Sequence, residues 1–223
     1  ENSYLNIAGQ PKWEFNKHLN LSSLFSYTLT NTADKYYVPV NGVPDYYVKS
    51  LGLTMENEIS SLYSSQTSLV SDTKLAWNNQ YNAHSIDLLG GFRYMTDRYK
   101  VDTQLGCNTG SDKTPFINNT RNKYTTGTTD DWTSLTWYAR ARYDYKKRYF
   151  VEGDLAIESS SRFGKEVKDG FKLGGVAWGV FPGIQAGWVL TNEDWFDVKG
   201  IDYVKLTAGY HVSGNDGIAS DAT

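Results

Sequence analysis

The sequence predicts an all-β fold of antiparallel, up-and-down strands, and three observations predict it. Seventeen Tyr, nine Phe and seven Trp stand against two Met and five Pro, a composition that suits pleated surfaces better than helices. Apolar residues recur with period two rather than 3.6. Twenty glycines, together with Asn and Asp, punctuate these runs as turn formers.

Taken in chain order, a weak alternation from Ser3 to Gly9 opens the series. Leu19, Leu21, Phe25, Tyr27 and Leu29 then alternate with Asn20, Ser22, Leu24, Ser26 and Thr28. A second weak candidate covers Thr73 to Tyr81, and Ile86, Leu88, Gly90, Phe92 and Tyr94 alternate with Asp87, Leu89, Gly91 and Arg93. Leu135, Trp137, Ala139, Ala141, Tyr143 and Tyr145 share one face, with Thr136, Tyr138, Arg140, Arg142 and Asp144 on the other. Tyr149, Val151, Gly153, Leu155 and Ile157 alternate with Phe150, Glu152, Asp154, Ala156 and Glu158. Ile184 to Leu190 and Val204 to His211 close the set, giving about eight strands, each apolar on one face and mixed or polar on the other.

The connections between them alternate in kind. Short ones fall near 10 to 17, 80 to 83 and at Lys146-Lys147; long ones near 30 to 70, 96 to 131 and 159 to 176; a moderate one spans about 191 to 201. Short turns at one end and long polar loops at the other are the habit of an outer-membrane barrel, where only the external rim is free to elaborate. Strands of about ten residues, tilted by roughly 45°, also match an apolar band of about 25 Å. The expected fold is therefore a partial transmembrane β-barrel. Tyr143, Tyr145, Tyr149 and Phe150 flank the Lys146-Lys147 turn, as an interfacial girdle or as ordinary cross-strand aromatics.

Composition excludes several function classes. A net charge of −3, with 22 basic and 25 acidic residues spread along the chain, offers no concentrated basic face for nucleic acid. Cys107 is the single cysteine, and the three histidines lie far apart, so no zinc spacing exists and no metal or other cofactor is expected. No helical apolar run is long enough to span a membrane. The chain opens at Glu1 without a Met or signal sequence and stops soon after a Gly-Asn-Asp-Gly loop, which reads as a piece of something longer.

Three motifs between residues 138 and 216 carry a resemblance. RYDYKKRYFVEGDLAIESSSRFG, WGVFPGIQAGWVLTNEDWF and IDYVKLTAGYHVSGNDGI are similar, in order and spacing, to the carboxy-terminal barrel of TonB-dependent transporters of the SusC/RagA type, nutrient-uptake proteins of Bacteroidetes. The chain departs from the usual pattern at Ile157, Glu158 and Ser159, before the Ser-Arg-Phe loop, and at Thr207 after Lys-Leu. Residues 1 to 137 match only in style. The resemblance implies that residues 1–223 form one barrel segment, without the amino-terminal plug and TonB-binding segment of the full protein. It also implies import of oligosaccharides, glycans or peptides across the cell outer membrane. Implied partners are a SusD-like surface lipoprotein, TonB reached through the missing amino-terminal part, the transported substrate and outer-membrane lipid. Eight strands do not surround a plug that such transporters enclose with about 22.

Glu152 and Asp154, two apart on one strand, meet the distance two glycosidase carboxylates need, with Glu158 as a third acid; solvated positions on a polar barrel face are the expected reading. Gly164 to Gly175 carries glycines and lysines without Walker spacing. Asp130-Asp131 and Asn215-Asp216 lack the ligand ladder of a calcium loop, and the sequons at Asn20 and Asn118 are expected to be unused. No catalytic residue is expected and the protein is read as no enzyme. In the long loop, Tyr36, Tyr37, Tyr46 and Tyr47 are candidates to stack on a ligand or to pack within their own loop. The competing fold is a soluble β-sandwich binding carbohydrate, with its apolar faces packed on each other.

Overall fold

A computed structural model of the chain describes residues 1–163 and 170–214. The strands are β1 (Asn2–Gly9), β2 (Lys12–Glu14), β3 (Leu19–Val38), β4 (Tyr46–Val48), β5 (Leu53–Met55), β6 (Glu58–Tyr81), β7 (His84–Cys107), β8 (Asn122–Tyr145), β9 (Tyr149–Ser160), β10 (Phe171–Leu173), β11 (Val176–Val189) and β12 (Lys205–His211). One sheet runs β1-β3-β6-β7-β8-β9-β11, with β2 on β3 and both β10 and β12 on β11; β4 and β5 form a separate hairpin. Because β1 and β2 both pair with β3, and β10 is three residues long, the wall has about the number of strands the alternation predicts. Asn215-Asp216 and the first residues of the Gly164 to Gly175 run lie outside the described residues.

The strands are longer than expected. β3 continues to Val38, β6 begins at Glu58, β7 reaches Cys107 and β8 begins at Asn122, so much of what reads as long loop is strand. Stretches such as Asn31-Thr32-Ala33-Asp34 and Thr125 to Asp131 are polar on both faces. A pattern search needs one apolar face, whereas the backbone ladder holding these residues does not.

Two compact units are distinguished by contact: Glu1–Ile7, Tyr27–Ser68 and Asp97–Asp131 make the first, and Ala8–Ser26, Leu69–Thr96 and the described residues from Trp132 onward make the second. In the second unit the register fixes which residues share a face. Trp137, Ala139, Ala141, Tyr143 and Tyr145 stand opposite Ile157, Leu155, Gly153, Val151 and Tyr149. Those in turn meet Val180, Pro182, Ile184, Ala186 and Trp188 on β11, beyond which come Tyr210, Ala208 and Leu206. This face is apolar throughout. The other face carries Arg140, Arg142, Glu152, Asp154, Gln185, Lys205 and His211.

The apolar face is uncovered. Trp137, Ile184 and Leu206 are all more than half exposed, and among the described residues only Met55, Ile59, Cys107, Ala177 and Val189 are buried apolar side chains. A sandwich of this size would bury its inner faces, each large apolar residue contributing about 1.5–3 kcal/mol on leaving water. That competing fold is therefore not favoured.

Along the foot of the face, rings follow one another from strand to strand. His84 lies 4.9 Å from Tyr145, Tyr145 and Tyr149 are 6.4 Å apart, Tyr149 and Trp188 6.4 Å, and Trp188 and Trp195 6.2 Å between centroids. For Tyr145 and Tyr149 the two readings are thus one, since they pack across strands and so form a continuous row, whereas Phe150 lies on the opposite face beside Arg142 and Lys205. The turn below them is tight. Lys146 and Lys147 have φ of 54° and 55°, and Arg148 N donates to Tyr145 O at 3.0 Å, the geometry of a two-residue hairpin whose twist matches the flanking strands.

Candidate functional site

Adjacent residues on a strand point to opposite sides, and this divides the four candidate tyrosines. Tyr36 and Tyr37 sit near the end of β3, and Tyr46 and Tyr47 in the β4–β5 hairpin, where Tyr46 faces Met55 and Tyr47 faces Thr54. Tyr37 and Tyr46 are half-buried; their hydroxyls donate to Asp112 and Glu58 respectively. Tyr36 and Tyr47 face outward, 60 % and 66 % exposed. The structure thus ties two of the four, each to its own carboxylate, and leaves the other two exposed.

The fastening is polar and specific. Asp112 accepts from the Tyr37 hydroxyl, from Val40 N at 2.7 Å, from Asn41 N at 3.1 Å and from Asn41 Nδ2 at 2.8 Å. These donors, led by Tyr37, hold its pKa down to about 2. Burial, followed by the hydrogen bond to Glu58, pushes the Tyr46 phenol up to about 12. Fully buried Asn57 donates to Thr109 Oγ1 at 2.6 Å and accepts from Thr109 N at 3.0 Å. Asn108 adds Oδ1 for Glu56 N at 2.9 Å and Nδ2 for Thr54 O at 3.1 Å. The segment around 39–57 is therefore pinned to the one around 108–121, with Val43 and Phe116 exposed beside these anchors in sequence.

Sequence reasoning missed Asp112, Glu58 and Asn57. Asp112 lies in a run of turn formers, Thr109-Gly110-Ser111-Asp112. Nothing in that run signals a partner 75 residues away.

The acids weighed for catalysis are dispersed on the polar face of the second unit. Glu158 accepts from Ser134 Oγ at 2.9 Å, Asp154 lies 3.5 Å from His211, and Glu152 stands opposite Arg142. Tyr138 on the same face crosses Gly91 to donate to Asp72 Oδ1 at 2.5 Å, beside Arg93, which donates to the same carboxylate at 2.7 and 2.9 Å. Among the described residues no cluster of three or more His, Cys, Asp or Glu is placed to hold a metal ion.

The Asn192-Glu193-Asp194-Trp195 stretch locks the tight-turn end. Arg148 binds Glu193 at 3.2 Å and Asp194 at 2.5 Å. Glu193 also accepts from Tyr149 Oη at 2.6 Å and Trp188 Nε1 at 2.9 Å, and Asn192 Nδ2 donates to Lys147 O at 2.6 Å. The Tyr149 hydroxyl foremost, with Trp188 and the Arg148 charge, holds the Glu193 carboxyl below the usual range.

An antiparallel sheet with an uncovered apolar face, a row of rings along its foot, charge on the opposite face and a tight turn below is the wall of a transmembrane β-barrel. Comparison with known proteins agrees. No family profile matches the chain. It is 32 % identical over 147 residues to TonB-dependent receptor P39 of Formosa agariphila, across 64 % of this chain and 13 % of that protein. It is 28 % identical over 90 residues to the TonB-dependent receptor SusC of Bacteroides thetaiotaomicron, across 40 % of this chain and 8 % of SusC. The chain thus spans only a small part of the length of these relatives. The RagAB peptide transporter structure superposes with a TM-score of 0.82 over 98 % of this chain and 23 % of that one, at 16 % identity, which bears on the fold. The chain therefore has the fold of an outer-membrane barrel wall and resembles a barrel segment of the SusC/RagA-type TonB-dependent receptors.

Proposed function

We propose that residues 1–223 are one stretch of barrel wall with its external loops, in a transporter that imports oligosaccharides, glycans or peptides by energy drawn from TonB. Two features support this: the uncovered apolar face with its aromatic row, and the likeness to TonB-dependent receptors. In this reading the plug and the TonB-binding segment belong to parts of the protein outside this chain. A SusD-like lipoprotein covers the external mouth. The segment does no chemistry on the substrate, takes no cofactor and binds no nucleic acid.

Within the segment, Tyr36 and Tyr47 make the ligand contacts, and Tyr37 and Tyr46 hold them in place. The observation that carries this is the division itself: two exposed rings, one near the end of β3 and one on β4, beside tyrosines tied to Asp112 and Glu58. Rings offered on a pinned loop lose little entropy on stacking. The test is substrate binding by the full-length transporter with its lipoprotein. Tyr36→Ala and Tyr47→Ala are each expected to weaken binding about five- to tenfold, a loss of about 1 kcal/mol or more. Unchanged binding in the double variant refutes the assignment.

A further inference from the structure

The apolar face of the second unit is not smooth. It carries a groove of about 1000 Å³ lined by the small residues Gly90, Ala139, Ala141 and Gly153 together with Trp77 and Trp137. On the same face, six residues beyond Ala139 along β8, stands Tyr145 of the aromatic row. There the Lys146 ammonium lies 5.5 Å from the Tyr145 ring centroid, turned towards the foot of that face. Asp194, which also feels this ammonium, is already bound by Arg148 at 2.5 Å.

We propose that the groove seats one acyl chain of a glycerophospholipid whose phosphate is held by Lys146. Length supports this occupant: six residues at about 3.3 Å, tilted by roughly 45°, give about 14 Å of height, close to one leaflet of a hydrocarbon core about 30 Å thick. Charge supports it too, because a cation stands where the apolar face gives way to the aromatic row, the level at which a headgroup phosphate lies. A groove lined by small side chains together with bulky ones lets the chain bury more of its surface than a flat wall allows. The inference rests on the reading that this face meets lipid.

The test uses the full-length transporter, purified in detergent micelles doped with dioleoylphosphatidylglycerol, with retained lipid counted by native mass spectrometry. The unaltered protein is expected to keep one molecule. Gly153→Phe fills the groove; a Cβ there meets nothing closer than the Gly183 carbonyl oxygen at 3.9 Å, so the wall has room for it. Retention is expected to fall about tenfold, the equivalent of roughly two methylenes no longer buried. Lys146→Asn removes the cation while suiting the φ of 54°, and is expected to cost about fivefold. Equal retention in both variants overturns the proposal, as does equal retention of a diacylglycerol that lacks the phosphate. Insertion of the same proteins into vesicles is scored separately. Insertion with no effect of either variant removes the groove site alone, whereas failure to insert removes the membrane-facing assignment itself.

Discussion

Replacing Gly91 by alanine tests the strand-bridging role of Tyr138. A Cβ built at Gly91 would lie 2.5 Å from the Tyr138 hydroxyl oxygen and 2.8 Å from its Cε2, closer than van der Waals contact allows, so the ring must leave. What leaves with it is the hydrogen bond to Asp72 at 2.5 Å, worth about 1.5–3 kcal/mol with a charged acceptor. The Arg93 guanidinium 5.7 Å over the ring adds about 0.5–1 kcal/mol. Asp72 keeps both donors from Arg93, so no orphaned charge enlarges the loss. Alanine returns about 0.5–1 kcal/mol through a less flexible unfolded chain. The net expectation is a destabilisation of about 1.5–3 kcal/mol. Tyr138→Phe alone is expected to cost about 1.5–3 kcal/mol, but close to nothing in the Gly91→Ala background, where the hydroxyl no longer reaches Asp72. Urea unfolding of the full-length protein in micelles, followed by tryptophan fluorescence, measures all corners of the cycle. Costs that add within about 0.5 kcal/mol refute the reasoning.

The remaining predictions concern the loops and the tight turn. Asp112→Ala is expected to release the segment around 37–41, seen as new proteolytic cleavage there with the barrel intact. The pH dependence has a definite sign. The folded pKa of Asp112, about 2, lies below the ordinary carboxylate value of about 3.9, so its contribution is complete above that value and is lost as pH falls through about 2; hydrogen exchange at Val40 and Asn41 reads it. Lys147→Gly relieves a left-handed side chain at φ 55° and is expected to stabilise the hairpin by about 0.5–1 kcal/mol, seen as a higher urea midpoint. Cys107 is fully buried, and burial first, then the Glu58 charge, pushes its thiol up. Maleimide labelling is expected only after unfolding.

How much the sequence discloses differs between the two units. From Leu135 to Tyr145 and again from Tyr149 to Ile157 every second residue is apolar or glycine, and the register reproduces that division pair by pair, because a wall with one apolar side must repeat every two residues. The Lys146-Lys147 turn is legible for the same reason: the alternation on its two sides meets in phase there. In the first unit the period carries no such signal, since strands held by ladder hydrogen bonds and polar on both sides look like loops. The site was half legible. Paired tyrosines in a long connection mark exposed ring surface, but which ring of each pair turns inward depends on Asp112 and Glu58, and the Asp112 pairing joins residues 75 apart in the chain. The Asn192 to Trp195 stretch reads as a marker motif; only the structure shows Glu193 accepting from Tyr149 and Trp188 while Arg148 binds it.

The division of labour between neighbouring tyrosines bears on how such a loop changes over evolutionary time. Tyr37 is committed to Asp112 and Tyr46 to Glu58, so altering either unfastens the loop. Tyr36 and Tyr47, one position away in each case and more than half exposed, carry no such obligation. If Tyr36 and Tyr47 contact ligand as proposed, selection for a new ligand can exchange the outward residue of each pair while the inward one keeps the fold, which separates the rate at which recognition diversifies from the rate at which the scaffold drifts.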